Sequence, residues 1–289
     1  MYNDTDFPSF LLKKLEEISP EHKLREIMKY SLLPAGKLFR PNIILNLAKD
    51  LGPITESHLI LASSIEMHHT YTLIHDDLPS MDNDEYRRGR LTSHKKYTEW
   101  EAILAGDGLL NASYELLSQL QTEHLAKILS NYSKFCGPRG LILGQVKDLG
   151  NENKSLKEIL EIHKLKTSRL IQNSLVNSAI LSNRLDLIDD VSQIGKALGI
   201  NFQLLDDLCE LTDDINQHEK DINPFLHYET NAVIKLVQEN NQQIKSLVKK
   251  YELKNLEDYI ELYMKVTRDK LRQGKDKINS YIKIELDSI

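Results

Sequence analysis

The sequence predicts an all-α protein folded as a single domain over residues 1–289, on three observations. Apolar residues recur at helical spacing through most of the chain. Glycine and proline number only 12 and 8, too few for the many turns of a β fold. No internal repeat, low-complexity tract or linker-like stretch divides the chain.

Taken in order, residues 7–18 and 22–32 read as short amphipathic helices. Pro41 sits where a first helical turn tolerates it, and the apolar run NIILNLAKDL follows. Residues 56–77 form a long apolar helix that ends in Asp76 and Asp77, after which Pro79 breaks it. The stretch DNDEYRRGRLTSH that follows reads as a loop. Residues 99–120 are mostly small and apolar, which suits a closely packed helix. Further helices are expected over 124–149, 155–183 and 186–211, the last ending in a second acidic cluster. A polar loop, DDINQHEKDIN, leads to Pro224, and a helical region runs from about residue 229 to the end.

Composition excludes several classes. Charged residues are 28% of the chain and apolar ones 40%, as in a globular soluble protein. The net charge of −6 lacks the basic footprint of a nucleic-acid binder. It also argues against an anchor on anionic membrane, and no stretch approaches the length of a membrane-spanning helix. The N-terminal MYNDTDFPSF carries acids where a signal peptide carries bases. Two cysteines far apart, Cys136 and Cys209, form no disulfide framework, and a cytoplasmic location is expected.

The chemistry concentrates in two places. DDLPSMDNDEYRRGR carries Asp76, Asp77 and Asp82, and QLLDDLCE carries Asp206, Asp207 and Glu210. Crowded carboxylates repel, so a tolerated cluster calls for a counter-charge, and hard divalent cations supply one. Magnesium prefers carboxylate oxygen and completes its shell with water and substrate phosphate, so two such clusters facing each other would clamp a diphosphate. Asp206 and Glu210, four positions apart, share one helix face, with Asp207 pointing elsewhere. Pro79 within DDLPSMD lets Asp82 fold back towards Asp76. Lys37, Arg40, Arg87 and Arg88 are cations of the kind that hold phosphate. His69 and His75 lie on the helix bearing the first acids; His75 reads equally as a structural histidine.

These motifs resemble the trans-type isoprenyl diphosphate synthases, most closely the bacterial farnesyl diphosphate synthases (geranyltranstransferases). AGKLFRP is similar to the family's GGKRLRP, and EMHHTYTLIHDDLPSMDNDEYRRGRLTSHK to its first aspartate-rich motif in the bacterial form. EAILAGDGLL, GLILGQVKDL and IHKLKTSRLI follow in family order, and NFQLLDDLCE stands in place of FQxxDDxxD. The likeness runs from about residue 30 to 230.

The resemblance implies a helix bundle with a deep central cavity. It also implies a prenyltransferase that condenses isopentenyl diphosphate with dimethylallyl and geranyl diphosphates. Asp76 and Asp82 would bind two magnesium ions bridging the allylic diphosphate. Asp206 would hold a third, assisted by Asp207 and Glu210. Arg87 and Lys220 would reach the allylic diphosphate, and Lys37, Arg40, His69 and Arg88 that of isopentenyl diphosphate. Lys166, Thr167 and Gln203 would lie beside the reacting carbons. Tyr71, five residues before Asp76, would floor the cavity and stop growth at farnesyl diphosphate. A homodimer is implied, with the helix around 99–120 as its candidate interface.

Three departures from the family pattern stand out. Glu210 replaces an aspartate. The loop after the second motif is short, with Lys220 as its lysine. A single glycine precedes Lys37, and Leu38 stands where an arginine is usual. The alternatives are a geranylgeranyl diphosphate synthase, which Tyr71 opposes, and a terpene cyclase, which would not need Lys37, Arg40 or the arginine pair. A non-catalytic partner subunit would be expected to lose one or both acidic clusters.

Overall fold

The structure is a computed structural model and describes residues 7–150, 155–213 and 223–282. The chain packs as two compact units. One holds residues up to Leu129 together with Ile180–Asn183; the other holds Ser130–Ala179 and Arg184 onward.

The first unit contains α1 (Phe7–Ile18), α2 (Lys23–Leu32), α3 (Phe39–Leu51), α4 (Glu56–Asp76), a hairpin of β1 (Tyr86–Arg87) and β2 (Arg90–Leu91), α5 (Ser93–Lys96) and α6 (Glu99–Ser118). α4 is its centre, packed along α6 and against α3. Its surface is apolar or small on nearly every side, so most of its residues are buried. Thr55 caps it: the side chain of His58 reaches back to the Thr55 N–H at 3.1 Å, fixing the start of the helix.

The segment expected to be a loop after Asp82 contains the hairpin and α5. Arg87 pairs with Arg90 across the two-residue turn Arg88–Gly89, both at positive φ (53° and 72°). Such a turn matches the twist of the flanking strands, and Gly89 meets its demand without strain. The signal was one glycine in RRGR; an arginine in the first turn position concealed it.

In the second unit, α7 (Leu125–Cys136, begun in the first unit) and α8 (Leu141–Leu149) replace the single helix expected over 124–149. The break lies at GPRG, where Pro138 between two glycines cannot continue the ladder. The helix expected from 155 runs as α9 (Leu156–Ile162), a π-helical segment (His163–Ser168) and α10 (Arg169–Leu181). α11 (Ile188–Glu210) follows a 3-10 turn at Leu185–Leu187. The C-terminal region divides into α12 (Pro224–His227), α13 (Thr230–Lys250), α14 (Lys254–Gln273) and α15 (Lys275–Tyr281). α11 is the centre here, packed on the π segment, α13 and α14. Among the described residues no helix is long and apolar enough to cross a membrane.

Candidate active site

In the first unit the site is built around the end of α4. Asp76 is the last helical residue and half-buried; Asp77 caps the helix and is buried. The chain then turns back, and the Asp82 N–H donates to the Asp76 carbonyl at 2.9 Å. This is the return that Pro79 led the sequence to predict, and it leaves the Asp82 side chain exposed.

Asp77 has a different environment. Arg87 Nε donates to its Oδ1 at 2.6 Å, and Arg87 Nη2 to Asp84 Oδ2 at 3.2 Å. Burial pushes the Asp77 carboxyl up to about 6, against the pull of Arg87. Arg87 is therefore oriented by two acids, of which Asp84 was not singled out from the sequence.

Behind the hairpin lies a basic cluster. Arg88 lays its guanidinium against Gly36, where an added Cβ would stand 2.6 Å from Cζ. The glycine before Lys37 thus leaves room for the arginine. Glu66 on α4 is buried and its carboxyl is raised by burial, while Arg40 and Arg88 act in the opposite sense. His69, one residue round the helix from Thr70, is held well below the usual imidazole range by burial and by Arg40, Arg88 and Arg87. A neutral imidazole amid arginines can donate one hydrogen bond to a phosphate without adding charge. Glu66 is a site residue that sequence reasoning missed, hidden in an apolar run. Lys37 is exposed, and Leu38 caps α3 in the left-handed region at φ 51°.

Tyr71 is buried, with the rings of His68 and His75 edge-on at 4.6 and 5.6 Å. His75 Nε2 donates to the Ile103 carbonyl on α6 at 3.1 Å, the arrangement of a structural histidine.

In the second unit a cavity of ≈ 690 Å³, part of it open to solvent, is lined by Asp148, His163, Lys166, Thr167, Gln203, Asp207, Glu210 and Asn223. Lys166 and Thr167 stand on the π segment, where one wide turn re-aims side chains within a long helix. Its packing is tight. A Cβ on Gly144 of α8 would lie 2.4 Å from the Lys166 nitrogen, and one on Gly199 of α11 would lie 2.4 Å from Ser168 Cα. Lys166 Nζ donates to Asp148 Oδ2 at 2.7 Å. Thr167 Oγ1 donates to Gln203 Oε1 at 3.2 Å, and Gln203 Nε2 to Asp207 Oδ1 at 3.1 Å.

The second acidic cluster is split. Asp206 is exposed, Asp207 buried and Glu210 half-buried. Gln203, Asp207 and Glu210 follow at i, i+4 and i+7, so they share the helix face that lines the cavity. Asp206 and Glu210 lie about 40° apart around the helix, as their spacing predicts, but Glu210 sits between the two aspartates in angle, so Asp207 shares its face instead of pointing elsewhere. Burial raises the Asp207 carboxyl well above the carboxylate range, against the Gln203 hydrogen bond. Asn223 Nδ2 donates to the Asp207 carbonyl at 2.7 Å and to Glu210 Oε2 at 3.4 Å. Asp148, His163 and Asn223 were missed from sequence; the lone acid within GLILGQVKDL was the available signal for the first. Lys220 lies outside the described residues.

Carboxylate oxygens half-buried or exposed at two helix ends suit a hard cation that keeps much of its water. Among the described residues no three potential ligands gather into a closed cage. Magnesium bound through one or two carboxylates and substrate phosphate needs none.

The sequence model of the polyprenyl synthetase family matches residues 21–266. The chain is 36% identical over 222 residues to the farnesyl diphosphate synthase of Micrococcus luteus, covering 75% of this chain and 76% of that one. It is 37% identical over 209 residues to the farnesyl diphosphate synthase of Geobacillus stearothermophilus, covering 70% of each. The crystal structure of a Helicobacter pylori geranyltransferase complexed with magnesium and isoprenyl diphosphate is similar in fold, with a TM-score of 0.76 and 28% identity. That likeness covers 92% of this chain and 100% of the other.

Proposed function

Because the chain belongs to the polyprenyl synthetase family, we propose that it is a magnesium-dependent prenyltransferase making farnesyl diphosphate. It condenses isopentenyl diphosphate with dimethylallyl diphosphate and then with geranyl diphosphate, releasing pyrophosphate at each step. The observation that carries this reading is the return of Asp82 onto Asp76, with the neutral His69 and the arginines beside it. One short stretch then holds carboxylates for a cation and cations for a diphosphate.

Asp76 and Asp82 would hold two magnesium ions and Asp206 a third, with Glu210 assisting. When bound, the ions would neutralise the charge that develops on the departing diphosphate. The chain's own residues supply the rest. Arg87, held by Asp77 and Asp84, presents its remaining guanidinium edge to the allylic diphosphate, with Lys220. Lys37, Arg40, His69 and Arg88 hold isopentenyl diphosphate, so that its double bond is aligned before reaction. Lys166, Thr167 and Gln203 turn oxygen dipoles towards the electron-poor allylic carbons: a main-chain carbonyl, a hydroxyl and an amide. Released pyrophosphate takes the final proton. Tyr71, braced by two histidine rings, ends the space for the growing chain.

The protein acts in the cytoplasm as a homodimer. We place the subunit contact on α6, where Trp100, Ile103 and Leu104 are exposed large apolar residues. Sedimentation of the wild type and of Trp100→Glu tests that contact.

The function is tested with purified protein, Mg²⁺, isopentenyl diphosphate and, separately, dimethylallyl, geranyl or farnesyl diphosphate, with products dephosphorylated and sized. Farnesol from the first two and nothing from the third is expected. Geranylgeraniol overturns the product assignment alone. Turnover without isopentenyl diphosphate, or none with any acceptor, overturns the reaction.

A further inference from the structure

Asp207 belongs to the second acidic cluster by sequence, yet its surroundings differ from those of Asp206. It is only 8% exposed, whereas Asp206 is open to solvent. Protein groups surround it. Oδ1 accepts from Gln203 Nε2 at 3.1 Å, and Oδ2 lies 3.6 Å from His163 Nε2. Its main-chain carbonyl takes the amide of Asn223 at 2.7 Å. Oδ1 and the main-chain carbonyl are thus engaged by the protein, and Oδ2 is buried beside His163.

The Gln203 contact has a directional consequence. A side-chain amide offers two donors at one end and an acceptor at the other, and rotation by half a turn exchanges them. The Asp207 oxygen that faces Gln203 accepts whether the carboxyl is ionised or is neutral with its proton on Oδ2. Asp207 therefore keeps the NH₂ end of Gln203 towards itself and turns Oε1 the other way. There Oε1 accepts from Thr167 Oγ1 at 3.2 Å. With its proton engaged by Gln203, the Thr167 oxygen presents lone pairs to whatever occupies the cavity. With the amide reversed, the hydroxyl would accept from Gln203 and its proton would point outward, a repulsive arrangement for a developing cation.

We propose that Asp207 is a positioning residue rather than a metal ligand: it fixes the Gln203 amide, and through it the polarity of the Thr167 hydroxyl, beside the reacting carbons. This deepens the prenyltransferase reading and rests on it.

Two arms test it. The first is calorimetric titration of Mg²⁺ into the protein with inorganic pyrophosphate, which needs no turnover. Asp207→Asn is expected to bind Mg²⁺ within about twofold of wild type, whereas Asp206→Asn weakens it by about tenfold or more. The second arm is kinetic. Asp207→Asn loses kcat by about 100-fold, with KM for isopentenyl diphosphate little changed. The double variant Gln203→Glu/Asp207→Asn reverses donor and acceptor and restores the Thr167 partner, so it regains at least about tenfold of that loss. Gln203→Leu, which leaves both aspartates in place, shows the same kcat loss and unchanged Mg²⁺ binding. Thermal melts of each variant establish that it folds.

The proposal is overturned if Asp207→Asn weakens Mg²⁺ binding as much as Asp206→Asn does, or if the double variant recovers nothing. A wild type that condenses no acceptor sinks the prenyltransferase reading, and the calorimetric arm then decides the role of Asp207 by itself. An unchanged Mg²⁺ affinity in Asp207→Asn supports it; a loss refutes it.

Discussion

The imidazole of His75 occupies the space that a side chain on Gly106 would fill: a Cβ there would stand 2.1 Å from His75 Nε2. The two helices α4 and α6 approach closely at this point, and the ring bonds the Ile103 carbonyl one turn away. Gly106→Ala is expected to cost about 1–3 kcal/mol by overpacking, since the ring that bonds the Ile103 carbonyl must move to make room. Combining it with His75→Ala removes the clash, so the two effects should be strongly non-additive. Urea melts of the two single variants and the double variant measure the coupling. Additive effects would mean that the ring and the glycine do not meet.

Acid should destabilise this protein through histidines that are buried neutral. Burial holds His58 down to about 4 and His68 down to about 3. For these bases the folded value lies below the unfolded one, near 6.5. The unfolded chain therefore binds more protons between the two values, and stability rises with pH across that window. It is fully present above about pH 6.5 and is lost as the pH falls through it towards the folded values. At pH 5 each buried histidine accounts for a loss of about 2 kcal/mol relative to pH 7. His68→Leu, which keeps an apolar side chain in the site, should flatten the pH dependence by that amount. Parallel pH-stability curves for variant and wild type would show that His68 titrates alike in both states.

How legible was all this in the sequence? Helical spacing and the scarcity of glycine and proline led directly to an all-α fold, and Pro79 led to the return of Asp82 onto Asp76. What stayed hidden depends on angle and on packing. Periodicity reports that residues 156–181 are helical; it does not report that His163–Ser168 form a π segment, which lies where α8 and α11 pack against it. Adjacent aspartates look equivalent in QLLDD, yet the rotation between them exposes Asp206 and buries Asp207. Glu66 and Asp148 gain their meaning from arginines and a lysine far away in sequence.

If Tyr71 ends the space for the growing chain, its replacement by alanine should shift products from farnesyl to geranylgeranyl diphosphate or longer. The ring is buried and held edge-on by His68 and His75, so truncation opens a void instead of a gap that neighbours readily fill. Condensation with dimethylallyl diphosphate, whose chain is short, should proceed at a rate close to that of wild type. Sizing the dephosphorylated products decides it. Unchanged chain length with active enzyme would place the stop elsewhere.

The π segment should be sensitive to single methyl groups on the helices that flank it. Gly144 faces the main chain of Leu165 and Lys166, with the nearest atoms 2.4 to 2.8 Å from an added Cβ. These are backbone atoms, which cannot swing aside as a flexible side chain would, so the segment itself has to move. Such a shift also separates Lys166 from Asp148, because that acid is carried on the same helix as the glycine. Gly144→Ala should therefore lose about 1–3 kcal/mol of stability. It should also lower kcat by about 100-fold, as displacement of a reacting-centre residue by an ångström would do. Asp148→Asn tests the second part separately: it removes the ion pair without moving the helix. If the pair orients Lys166, this variant lowers kcat while its melting temperature stays near wild type, since a half-exposed pair contributes little to stability. A fall in melting temperature with kcat preserved would instead make the Lys166–Asp148 pair a structural tie between α8 and the π segment.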